Sequence, residues 1–151
     1  MSSYILDTNI FNKLREGSLD RQALVGLTLI GTYVQRLELA DTPQEDRRRE
    51  LLKLYSEFVN AKVTPFTTRW GDPWGSSWSD SDGLYDQLLS AVRKADKDLK
   101  KRKREQNQER DAQIAETAIK ANLTLVTEDP GLRCVVEAYG GRAISFFELK
   151  S

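Results

Sequence analysis

The sequence predicts an α/β domain with a central, largely parallel sheet flanked by helices. Short apolar runs bounded by turn residues read as buried strands at Tyr4-Ile5-Leu6, Leu27-Thr28-Leu29-Ile30 and Leu123-Thr124-Leu125-Val126. The segments between them carry apolar residues at the 3.6-residue spacing of amphipathic helices. Strands that alternate with helices in this way form parallel sheets. No internal repeat or linker divides the 151 residues, so one domain over 1–151, long enough for a real core, is expected.

Taken in order, the first strand runs into Asp7-Thr8-Asn9 and a short helix over Ile10–Arg15, which stops before Gly17. A second short helix is expected over Ser18–Val25. The strand Leu27–Ile30 sits between Gly26 and Gly31. Thr32 reads as an N-cap with Gln35 in the capping-box position. In the helix that follows, Val34, Leu37 and Glu38 share one stripe, which sets Glu38 on an apolar face. A charge is costly there unless a cation such as Arg36 meets it. Thr42-Pro43-Gln44-Glu45 combines an N-cap, a first-position proline and a capping box. It opens a helix whose buried face is Leu51, Leu54, Tyr55, Phe58 and Val59. Ala61–Thr64 reads as a short edge strand ending at Pro65.

Residues 67–83 are rich in Gly, Ser, Asp and Trp and read as an irregular loop. A long helix is expected over about 84–106, with Leu84, Leu88, Val92, Ala95 and Leu99 on one side. Its far end is basic: Arg93 to Arg104 holds eight Lys or Arg against two Asp, a net charge of +6. In the next helix Asp111, Ile114, Ala115, Ala118 and Ile119 form a stripe, and Asn122 is the stop. After the strand Leu123–Val126, Asp129 can cap a helix that has Pro130 in its first position. That helix reaches Tyr139, Gly140-Gly141 closes it, and Arg142–Ile144 reads as a last strand. Cys134 reads as a small core residue of the helix.

Composition narrows the chemistry. Lys plus Arg and Asp plus Glu balance at 23 each, so net charge selects no partner. One cysteine excludes an internal disulfide framework and fits a reducing compartment. Histidine is absent, which removes His-dependent triads, His bases and the commonest zinc ligand. No apolar run approaches membrane-spanning length and the N-terminus lacks a secretory leader pattern, so a cytoplasmic protein is expected. Enzymatic chemistry in such a chain must rest on carboxylates, hydroxyls and cations.

Four acids fit that requirement. Asp7 and Asp129 follow strands, whereas Glu38 and Asp111 lie on inward helix faces near helix starts. In a parallel sheet with right-handed crossovers these positions share one edge and can meet in one crevice. Clustered carboxylates repel, so they need a cation or raised pKa values. Oxygen ligands without His or Cys point to Mg²⁺ or Mn²⁺, which suits phosphoryl chemistry. Each acid has a plainer reading as well. Asp7 and Asp129 can be helix caps, Asp111 a first-turn acid favoured by the helix dipole, and Glu38 one half of an ion pair.

Leu6-Asp7-Thr8-Asn9, Glu38 in Tyr-Val-Gln-Arg-Leu-Glu-Leu, Asp111 in Arg-Asp-Ala-Gln-Ile-Ala and Thr127-Glu128-Asp129 after a strand together resemble a PIN domain. The resemblance spans nearly the whole chain. PIN domains are metal-dependent ribonucleases and include toxin subunits of bacterial toxin–antitoxin pairs. The resemblance implies a three-layer α/β/α fold and a Mg²⁺ or Mn²⁺ site formed by Asp7, Glu38, Asp111 and Asp129. Thr8, Asn9 and Thr127 would be its supporting polar groups. It further implies hydrolysis of RNA phosphodiesters by metal-activated water, an antitoxin partner and a homodimer. The chain departs from the family in a long stretch over 67–106 and in Glu128, which stands where a neutral or basic residue is common.

Lys100, Lys101, Arg102, Lys103, Arg104 and Arg110 lead into Asp111 and are candidate RNA-binding residues, since phosphate contacts supply most non-specific affinity. Such a run also occurs as a solvated helix face. Trp70, Trp74 and Trp78 can stack bases at about 1–3 kcal/mol each, pin the loop, or bury a partner's surface. The competing function is a non-catalytic PIN-like module that binds RNA or protein. A haloacid-type phosphatase fits poorly, because Asp7-Thr8-Asn9 lacks the second aspartate that chemistry uses.

Overall fold

Among the described residues, five parallel strands form one sheet in the order β3-β2-β1-β4-β5. In chain order they are β1 (Ser3–Leu6), β2 (Thr28–Gly31), β3 (Ala61–Lys62), β4 (Thr124–Val126) and β5 (Arg142–Ile144). The computed structural model describes residues 3–59, 61–62, 83–99 and 105–150. Central β1 aligns Ile5 with Ile30 of β2 on one side and with Leu125 of β4 on the other.

The pleat of the sheet divides the core in two. Leu6 and Val126 point into one layer, where Ile10, Phe11, Leu14, Leu29, Leu51, Leu54 and Tyr55 meet them. Ile5 and Leu125 point into the other, against Leu88, Val92, Ala115, Leu132 and Val136. The first layer belongs to α1 (Thr8–Arg15), α2 (Tyr33–Ala40) and α3 (Glu45–Phe58). The second belongs to α4 (Leu84–Asp98), α5 (Glu105–Lys120) and α6 (Pro130–Ala138). This is the three-layer α/β/α architecture that the sequence pattern predicts. Strand order reverses between β1 and β4, and at such a switch point the carboxyl ends of the strands open a crevice.

Several helix ends follow the expected chemistry. Thr32 and Gln35 form a complete capping box, with both bonds at 3.2 Å. Asn122 adopts the left-handed conformation at φ 57° after α5, and Leu123 N–H donates to Ala118 O at 2.8 Å, closing a Schellman motif. Asp129 caps α6 ahead of Pro130.

Other expectations change. Ser18–Val25 holds only a single 3₁₀ turn, Arg21–Leu24, begun when Asp20 accepts from Gln22 N–H at 2.9 Å. Thr42 does not cap α3; its N–H closes α2 by donating to Leu39 O at 3.2 Å, and Gln44 takes the cap position without a side-chain bond. The helix expected over about 84–106 ends at Asp98, its last buried residue being Asp96, and Leu99 just past it is 50% exposed. Cys134 is exposed rather than core, since α6 buries Gly131, Leu132, Val135 and Val136 on the opposite side. A C-terminal 3₁₀ turn, Phe146–Lys150, buries Phe146. Val63, Thr64, Trp70, Trp74, Trp78 and Lys100 to Arg104 lie outside the described residues. Among the described residues, no helix is long and apolar enough to cross a membrane.

Gly31 marks the tightest joint between β2 and α3. A Cβ there would stand 2.7 Å from the Tyr55 hydroxyl oxygen and 3.0 Å from Val59 Cγ1. That hydroxyl cannot move freely, because it donates to Thr32 O at 2.8 Å. Gly31→Ala is therefore expected to destabilise the protein by about 2 kcal/mol through overpacking. Urea unfolding checks it, with a lower midpoint at an unchanged slope.

Candidate active site

A cleft of about 530 Å³ opens where the carboxyl ends of β1 and β4 meet α1, α2, the start of α6 and the middle of α5, so that Asp111 lies well inside its helix rather than near the start that the sequence suggests. Asp7, Glu38, Asp111 and Asp129 all line it.

Asp7 follows β1 directly, and its N–H extends the sheet by donating to Val126 O at 2.9 Å. It holds the N-cap position of α1 but makes no side-chain capping bond. Its Oδ2 instead accepts from the Thr127 hydroxyl at 2.7 Å. The carboxylate is thus bound across the switch point to the end of the neighbouring strand, and capping does not account for it. Thr127 is fully buried, and the same hydroxyl oxygen accepts from Asp129 N–H at 3.1 Å.

Glu38 is inward, though not for the reason its sequence stripe suggests. Leu37 is exposed, and α2 packs through Gln35 and Leu39. Gln35 sets this rotation: its Oε1 closes the capping box while its Nε2 donates to Leu6 O at 2.5 Å. One side chain therefore ties the start of α2 to the strand end that carries Asp7. Three residues on, the Glu38 side chain is 15% exposed. Its partner is Arg110, 3.9 Å from Oε2, rather than Arg36. Burial pushes the Glu38 carboxyl from an ordinary 4.5 up to about 7; Arg110 opposes the rise, Asp7 and Asp111 add to it, and a hydrogen bond from Thr8 opposes it. Two aspartates from other parts of the chain thus act electrostatically on Glu38.

Asp129 keeps the plainer role as well. Its Oδ1 accepts from Gly131 N–H at 3.0 Å and Leu132 N–H at 3.3 Å, which caps α6. Glu128 is engaged elsewhere: its Oε1 accepts from Phe146 N–H at 2.6 Å and anchors the C-terminal turn. Asn9 lines the cleft from the exposed side of α1. Among the described residues, no three carboxylates stand close enough together to share an ion. The donors are nevertheless all oxygen, and the negative charge exceeds what Arg110 can offset, a set suited to a hard divalent cation. Residues that sequence reasoning missed in the cleft include Asn12, Lys13, Gln35 and Asn107. Asn9, Asn12 and Lys13 have a legible signal, the i, i+3, i+4 spacing of one helix face.

The fold is a three-layer α/β/α domain with a carboxylate-lined cleft at its switch point. No family model and no curated protein matches the sequence. Solved structures share the fold. VapBC2 of Rickettsia felis, described bound to a DNA fragment from its promoter, aligns at a TM-score of 0.54 and 14% identity over 95% of this chain and 98% of that one. VapBC-1 of nontypeable Haemophilus influenzae aligns at 0.53 and 12%, over 96% and 98%. PAE2754 of Pyrobaculum aerophilum aligns at 0.51 and 18%, over 99% and 96%. At these identities the likeness is one of fold.

Glu38 makes the metal-free protein sensitive to pH. With a folded pKa near 7 against 4.5, the folded state holds a proton that the unfolded chain loses first. The stability this gives is full below pH 4.5 and is lost as pH rises to about 7. In EDTA, Glu38→Gln is expected to flatten that fall and to be more stable than the parent at pH 8, by up to about 3 kcal/mol. Thermal melts from pH 5 to pH 8 check it.

Proposed function

We propose that the chain is a Mg²⁺- or Mn²⁺-dependent endoribonuclease and the toxin subunit of a toxin–antitoxin pair. The observation that carries this is that Asp7, Glu38 and Asp111, from three parts of the chain, line one histidine-free cleft at the switch point. Asp7, Glu38 and Asp111, which without an ion stand too far apart to share one, would have to draw together on it, with Asp129 as the fourth acid at the cleft wall. The bound ion would orient a phosphodiester, lower the pKa of attacking water and offset charge on the leaving oxygen.

The chain's own groups prepare that chemistry. The Thr127 hydroxyl fixes the Asp7 carboxylate as an acceptor, and Thr8 does the same for Glu38. Glu38 must release its proton to serve as a ligand, which Arg110 favours. A polyanion approaching such a cleft needs cations nearby. Arg110 lines the cleft, and the stretch Lys100-Lys101-Arg102-Lys103-Arg104 precedes it in sequence. The sequence resemblance to PIN toxins and the fold shared with VapBC structures support an antitoxin chain covering the cleft, with a homodimer as the assembly and cytoplasmic RNA as the target.

Incubation of a mixed RNA pool with Mg²⁺ or Mn²⁺, with and without EDTA, tests the reading. Cutting that needs the ion is expected, and Asp7→Asn and Asp111→Asn, each confirmed folded by circular dichroism, should lower it roughly a hundredfold or more. RNA that is bound but left intact under every metal, with no heat of Mn²⁺ binding by calorimetry, would favour the non-catalytic binding module instead.

In a separate variant, Thr127→Val removes the bond to Asp7 while keeping the buried shape. Loss of such a supporting hydrogen bond is expected to weaken Mn²⁺ binding by roughly 10–100-fold, as read by calorimetry.

A further inference from the structure

The cleft has two walls of different character. On the α5 side Arg110 lies 3.9 Å from Glu38 Oε2, so its charge is spent largely on the acids. On the α1 side Asn9, Asn12 and Lys13 follow one another at i, i+3 and i+4 and face the same space. Among the described residues, no carboxylate forms an ion pair with Lys13, although it borders an acidic cleft.

Asn12 is oriented from behind. Arg47 of α3 donates from its terminal nitrogen to Asn12 Oδ1 at 2.9 Å, and the same guanidinium lies 4.0 Å from Glu16. A guanidinium has donors only, so the atom that faces it must be the amide oxygen. The NH₂ end of Asn12 is left for the cleft that the residue lines. This wall therefore offers an ammonium and an amide donor side by side. Phosphodiester oxygens only accept, and they match that pair while the carboxylates opposite repel them.

We propose that Lys13 and Asn12, with Arg47 as the positioning residue for Asn12, form a phosphate-binding subsite for the RNA backbone next to the acidic centre. The subsite rests on the nuclease reading above and adds to it: α1 grips a phosphodiester of the strand, and the acids act on the one beside it.

The test is fluorescence anisotropy with a labelled single-stranded RNA of mixed sequence across a salt series. Ca²⁺ replaces Mg²⁺, and the RNA is checked on a gel for integrity. Lys13→Ala is expected to weaken binding about tenfold and to lower the slope of log affinity against log salt by about 0.7, the loss of one phosphate contact on a single strand. Lys13→Arg should bind within about twofold of the parent. Asn12→Asp keeps the Arg47 contact but replaces the donor by an acceptor, so it should weaken binding by a similar factor. Lys53→Ala, on the exposed face of α3, is the charge-matched control and should change nothing. Parent-like affinity and slope in both Lys13→Ala and Asn12→Asp, with the parent still binding and cutting RNA, would overturn the subsite and leave the nuclease reading standing. A parent that neither binds nor cuts RNA would overturn both together.

Discussion

A single hydroxyl at the junction of two strands organises the functional end of the molecule. Thr127 lies just past β4, fully buried, and donates to Asp7 just past β1 while accepting from the N–H of Asp129. β1 and β4 are the pair at which the strand order reverses, so no helix crosses over between their carboxyl ends and a crevice remains. Without a partner, the Asp7 carboxylate would fall naturally on the exposed amides of α1, as Asp129 does on those of α6. The Thr127 bond turns it into the crevice instead. Parallel pairing of β1 with β4 is therefore also what places the first acid of the site.

The second acid depends on a clamp of similar economy. Gln35 satisfies the start of α2 and reaches across to the carbonyl of Leu6. Tyr55 braces the same corner from α3 by donating to Thr32 O, and burial lifts its hydroxyl pKa to about 12, so it remains a donor. The consequence three residues later is a glutamate held in a dry place beside two aspartates. Burial of a carboxylate works against its ionisation, and the raised Glu38 pKa expresses that cost, to which Asp7 and Asp111 add. Arg110 relieves it in part.

Much of this arrangement is legible in the chain. The apolar runs at Tyr4–Leu6, Leu27–Ile30 and Leu123–Val126 become adjacent parallel strands, and Asn122, Asp129-Pro130 and the Thr32–Gln35 box end or begin helices as their side-chain chemistry dictates. Local signals fail where two are in competition. Thr42 carries every mark of an N-cap, yet its N–H is needed to close the preceding helix. Leu37 and Leu39 give α2 two plausible buried faces, and the bond from Gln35 to a strand 29 residues away selects the one with Leu39. Cys134 has core-like chemistry on a helix whose inward arc is already filled by Gly131, Leu132, Val135 and Val136.

By itself, the sequence determined the α/β class, the strands, most helix ends, and the absence of histidine from any site the chain can build. These follow from local periodicity, capping and composition, which act over a few residues. Only the tertiary structure decided that Asp7 faces the crevice rather than its own helix, that Glu38 meets Arg110 rather than Arg36, and that Asn12 and Lys13 form a wall of the same cleft. Those outcomes hang on contacts spanning 29 to 120 residues. A hydrogen bond or ion pair at that separation leaves no periodic trace in the chain, because its geometry exists only once the sheet has brought the strand ends together.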